Sequence, residues 1–145
     1  MPFGLVGGGR FLEDWKIKIS AIWIVLGIVG VWIPFSEFYT PGYLEEVISG
    51  FHEGGLITPE FILVIAIIML IPLVMAVLSL TLKDKANRWA NIIMGAVIAV
   101  LSFIDPIIYV TNQSAYSAYV ILIGIVMFAF SAMIVWYARK SKQKA

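Results

Sequence analysis

Residues 61–82 read FILVIAIIMLIPLVMAVLSLTL, 22 positions without a charge. A helix rises about 1.5 Å per residue, so roughly 20 apolar residues cross a hydrocarbon layer of about 30 Å. This stretch has the length and the chemistry of one crossing. Pro72 interrupts it, removing one backbone hydrogen bond and freeing the carbonyl of Ile68, so a bend of more than about 20° is expected there.

Three other runs have the same character. The first, 19–35, follows Lys16 and Lys18 and closes at Pro34, just before Glu37. It lacks the small-residue cleavage site of a signal peptide and reads as a retained span. The third, 89–110, is uncharged from Trp89 to Ile104, then meets Asp105 and Pro106, and the fourth, 117–137, is charge-free. Irregular backbone cannot face lipid with its polar groups unpaired, so four runs imply four helices. The expected fold is all-α: a membrane-embedded bundle of four antiparallel spans forming a single domain over residues 1–145.

Composition agrees. Of 145 residues, 61% are hydrophobic and 13% charged, against about 25% charged in an ordinary soluble domain. A net charge of +1 argues against nucleic acid as a partner. The absence of cysteine excludes thiol–disulfide exchange, iron–sulfur clusters and Cys-ligated zinc.

Charge also orients the chain. Arg10, Lys16 and Lys18 precede span one, Lys83, Lys85 and Arg88 lie between spans two and three, and Arg139, Lys140, Lys142 and Lys144 follow span four. Glu37, Glu45, Glu46, Glu53, Glu60 and Asp105 occupy the opposite side, which has no Lys or Arg. The positive-inside rule then puts both termini in the cytoplasm of a cell-membrane protein. Trp15, Trp89, Trp136 and Tyr137 near one interface, and Trp32, Tyr39, Tyr43, Tyr109 and Tyr116 near the other, form the expected aromatic belts.

The connection over 36–59 is long enough to hold structure. Thr40 is placed to cap a helix starting at Pro41, with Tyr43, Leu44, Val47, Ile48 and Phe51 on one face and Glu45, Glu46 and Ser49 on the other. A short interfacial helix over about 41–50, ended by Gly50, is expected. Gly7-Gly8-Gly9 lacks the Gly-Lys-Ser/Thr ending of a phosphate-binding loop and reads as a flexible tail.

The stretches Pro41-Gly42-Tyr43-Leu44-Glu45-Glu46, Ile57-Thr58, Lys85-Ala86-Asn87-Arg88-Trp89-Ala90-Asn91-Ile92 and Trp136-Tyr137-Ala138 together resemble a family of small prokaryotic four-helix membrane proteins, catalogued as a domain of unknown function. The layout is also remotely similar to DoxX-like membrane proteins. The family pattern implies carboxylates before the Ile-Pro of span two and within span four, where this chain has Leu70 and Met127. The resemblance implies an architecture and no activity.

One polar stripe stands out on span three. Asn87, Asn91, Gly95, Ala99, Ser102 and Asp105 fall within an arc of roughly 120°. Gly95 and Ala99 suit close helix packing with polar residues bonding across helices, whereas a second reading has the stripe line a cavity or polar path. Asn87, Arg88 and Asn91 at the start of the helix suit a lipid phosphate; alternatively Asn87 caps the helix and Arg88 pairs with Asp84. The ligand- or lipid-binding candidates are therefore Asn87, Arg88, Asn91, Ser102 and Asp105. His52, the single histidine, stands among glutamates in a Gly-rich turn and reads as solvated loop rather than a metal ligand. A haem would need an axial histidine inside a span. No metal, cofactor or catalytic residue is expected, since no Ser-His, Asp-His or metal arrangement is present to activate a nucleophile. The expected partners are membrane lipids, a second copy or a larger membrane complex. The leading functional expectation is a non-enzymatic structural or accessory subunit, and its alternative is a small transporter or ligand-binding bundle that uses the span-three stripe.

Overall fold

The computed structural model describes residues 14–52, 54–112 and 117–141. Helix α1 is Asp14–Glu37, followed by the short α2, Tyr43–Ile48, and strands β1, Phe51–His52, and β2, Gly55–Leu56. Then come α3, Pro59–Thr81, α4, Asp84–Leu101, α5, Ile104–Thr111, and α6, Ser117–Lys140. Four segments are long and apolar enough to cross a membrane: α1, α3, α4 with α5, and α6. The all-α expectation holds.

Helix α1 packs on α3 and α6, and α6 also packs on α4 and α5. The tightest part of the core holds Ile19, Trp23, Leu26, Ile134 and Ala138. α3 runs unbroken through Pro72 and presents Ile62 to Ile68 outward. An apolar outer surface is the rule for a helix solvated by lipid. Thr58 caps α3 by accepting from the Phe61 amide at 3.2 Å, with Pro59 at the helix start.

Two expectations are corrected. Thr40 does not cap α2, and Pro41 is not its first residue. The Tyr43 amide donates to the Thr40 carbonyl at 3.2 Å, and Gly42 has φ 86° and ψ −16°. Those angles at the third position, after a proline at the second, are a type II turn. The Pro-Gly pair makes a turn, and the helix starts after it. Gly50, at φ 87°, follows the helix end as expected. A small antiparallel ladder then pairs Phe51 with Leu56 and His52 with Gly55, and the Gly54 amide donates to Glu46 Oε1 at 2.9 Å, tying it to α2.

The second correction concerns span three. It divides at Ser102 and Phe103 into α4 and α5, so the single helix expected over 89–110 is two, with Asp105 in the first turn of the second. Pro106 has no N–H to bond the Ser102 carbonyl four residues back. Gly124 permits the close approach of α6, because a Cβ there would stand 2.6 Å from Pro106 Cγ and 2.7 Å from the Ser102 carbonyl oxygen.

Candidate functional site

At the basic end, Lys16 of α1 reaches across the bundle. Its Nζ stands 2.5 Å from Asp84 Oδ1 at the start of α4 and donates to the Leu82 carbonyl at 3.4 Å. Lys18 lies over the Tyr137 ring of α6. These contacts gather the start of α1, the α3–α4 junction and the end of α6 at one end of the bundle. Asp84 therefore pairs with Lys16 and not with Arg88. The N-cap position of α4 belongs to Lys83, without a side-chain bond, so Asn87 lies inside the helix and does not cap it.

Asn87 and Asn91 are fully buried, together with Trp23 and Ser79. The Trp23 indole is a donor only, so the Asn91 atom that it meets at 2.6 Å is the amide oxygen. Ser79 Oγ donates to the same oxygen at 3.0 Å and lies 2.7 Å from the Met75 carbonyl, sharing one proton between them. The Asn91 amide nitrogen then donates to Asn87 Oδ1 at 2.6 Å and to the Asn87 carbonyl at 2.8 Å. The Asn87 amide nitrogen donates to the Ser79 carbonyl at 2.6 Å. A donor-only group at one end and an acceptor-only carbonyl at the other fix both amide orientations, and α1, α3 and α4 are joined by one directed chain. A buried polar group left without a partner costs about 1–3 kcal/mol. Here each amide has partners on both its oxygen and its nitrogen, so the network locks the helices.

One turn further along α4, Gly95 packs on α6, where a Cβ would meet Ile134, Val135 and the Ser131 carbonyl at 3.0–3.3 Å. Beyond it the helices part. A cleft of about 230 Å³ opens among α1, α3, α4, α5 and α6, with Leu26, Ile33, Met69, Leu101 and Met127 in its apolar wall. Ser102 and Asp105 are the polar side chains of that lining, and Asp105 is its single formal charge. Asp105 is exposed and forms no ion pair among the described residues. The Ser102 hydroxyl donates back to the Ala99 carbonyl at 2.7 Å. Past the cleft toward the acidic end, the Tyr109 hydroxyl donates to Glu37 Oε1 at 3.5 Å, joining α5 to α1.

The five candidates thus separate. Asn87 and Asn91 belong to the closed network, Ser102 and Asp105 to the open cleft. Arg88, half-buried at the basic end, joins neither. Sequence reasoning missed Trp23 and Ser79. The available signal was Trp23 itself, an indole N–H well inside a span and away from both aromatic belts. His52 stacks between Tyr43 and Phe61 at centroid distances of 5.8 and 5.6 Å. No cluster of three or more potential metal ligands exists among the described residues.

A fold with four helical segments long and apolar enough to cross a membrane is that of a multi-pass membrane protein. The chain belongs to a family of unknown function, DUF6326, whose model matches residues 10–144. No curated protein and no solved structure matches it.

Proposed function

We propose that this protein is a non-enzymatic membrane bundle that holds a small, largely apolar ligand in the cleft between its spans. The observation that carries this is the division of the polar stripe. Its inner half is saturated by protein hydrogen bonds, whereas Ser102 and Asp105 line a cavity of about 230 Å³ within the span region. An engineered apolar cavity of about 150 Å³ takes up benzene, so this volume admits a compact organic body. Ionisable residues within spans are rare and tend to mark ligand or ion pathways. The positive-inside rule supports an orientation with both termini in the cytoplasm, which would place the cleft toward the outer leaflet.

The test is co-purification from membranes in mild detergent, followed by native mass measurement of wild type and Gly30→Leu. Gly30 lines the cleft, and its added Cβ would have no neighbour within 4 Å, so a leucine side chain starts in open space and extends into the cleft volume. A small molecule retained by wild type and lost in the variant is the expected result. A second reading, an accessory subunit assembling with itself or a larger complex, draws on the outward apolar face of α3. A stoichiometric protein partner with no retained small molecule would favour it. Turnover of a lipid by the purified chain would overturn the non-enzymatic reading.

A further inference from the structure

The lining of the cleft contains Pro34, Pro72 and Pro106, from three different spans. A proline has no N–H, so Pro34 and Pro72, inside α1 and α3, each leave the carbonyl four residues earlier without its helical donor. Those carbonyls belong to Gly30 and Ile68, which also line the cleft. Positions four apart share one helix face, which puts both carbonyls on the cleft side of their helices, while the Ser102 carbonyl stands against Gly124 of α6. Ser102 adds a hydroxyl whose proton is already donated to Ala99, leaving its oxygen as an acceptor. Asp105 adds a carboxylate. Among the described residues, no Lys, Arg, His, Asn, Gln, Trp or Tyr is in the lining, so those side chains offer no unused donor. A site of this kind attracts what brings its own positive charge and hydrogen-bond donors, and irregular carbonyls within a membrane protein are tolerated where they line such a cavity.

We propose that the ligand of this cleft is an organic ammonium: a compact apolar body whose cationic head meets Asp105 and the proline-freed carbonyls. The proposal rests on the cleft being a ligand site, and it adds the charge of the occupant. The apolar wall favours an organic cation over a bare metal ion, which would need a full shell of oxygen ligands. Charge complementarity points the same way: the chain has no Lys or Arg on the acidic side to neutralise Asp105 internally.

Three probes of one shape separate the two claims: 3-phenylpropylammonium, 3-phenylpropanol and 3-phenylpropionate. Each is titrated by saturation-transfer NMR into the full chain in a neutral detergent, with Gly30→Leu as the correction for partition into micelles. Charge-assisted hydrogen bonds exceed neutral ones by enough that the ammonium should bind at least about tenfold tighter than the alcohol, with the carboxylate weakest. Asp105→Asn should bring the ammonium to within about twofold of the alcohol while leaving alcohol binding intact, and that retained binding is itself the control for folding. Equal binding of all three probes, abolished by Gly30→Leu, would overturn the ammonium assignment and leave the cleft reading standing. Absence of any binding sensitive to Gly30→Leu would overturn both. Native mass measurement then distinguishes sources, because a lipid with an ammonium headgroup and a free amine differ in retained mass; a retained molecule with no ammonium group would count against the proposal.

Discussion

The two ends of the bundle are built from the same four spans but solve opposite problems. At the basic end, Trp23, Ser79, Asn87 and Asn91 are joined by hydrogen bonds and fully buried. Toward the acidic end, three prolines, Ser102 and Asp105 line an open cleft beside the division between α4 and α5. Polarity inside a membrane protein thus has two meanings. Where donors and acceptors are matched within the protein, it specifies which helices pack. Where acceptors outnumber donors, it leaves polar groups open to a partner from outside.

The largest expected effect comes from breaking the closed end. Asn91→Leu strands the Trp23 N–H and the Asn87 amide oxygen in an apolar interior, at a cost of at least about 2 kcal/mol. Thermal unfolding in detergent should show a clearly lowered midpoint, and an unchanged midpoint would mean that the network is not what holds α1, α3 and α4 together. Next is Gly124→Ala, which drives a methyl against Pro106 and the backbone of Ser102. Overpacking of this kind costs about 1–3 kcal/mol. It should force α5 away from α6, seen as faster hydrogen exchange over residues 104–111, while the closed end keeps its protection. Uniform loss of protection would show that the two ends are not independent.

Smaller effects sharpen the contrast. Gly30→Leu adds helix propensity of up to about 1 kcal/mol in open space, so its stability should equal or slightly exceed wild type; a fall in the midpoint would mean that the cleft is tighter than described. Asp105→Asn should change stability by less than about 0.5 kcal/mol, because Asp105 is exposed and forms no ion pair among the described residues. Collapse of the protein on that substitution would make Asp105 part of the scaffold. Orientation is tested separately, with cysteines introduced singly as Leu56→Cys and Ser141→Cys. An impermeant thiol reagent outside intact cells should label only the first, and labelling of Ser141→Cys alone would reverse the assignment.

Much of this was legible in the chain because a bilayer imposes simple rules. Apolar runs of sufficient length must become helices, and the segregation of all ten basic residues from the acidic loop is written in linear order. The number of spans, their approximate limits and the two charged ends followed from these alone. The Pro41-Gly42 turn was misjudged because proline followed by glycine satisfies both a helix start and a type II turn, and only the φ of Gly42 distinguishes them. The hairpin after it is too short for strand periodicity to register.

The stripe on span three shows where linear reading ends. Periodicity placed Asn87, Asn91, Ser102 and Asp105 on one face, as the sequence by itself determines. Which of them is consumed by packing and which lines a cavity depends on partners from elsewhere in the chain: Trp23 is 68 residues from Asn91, and Gly124, Pro34 and Pro72 come from other spans. Helical period is a local property of backbone geometry, whereas the matching of donors to acceptors is a property of the packed bundle. Only the tertiary structure brings the three prolines to one cleft, because their separation along the chain carries no trace of their common destination.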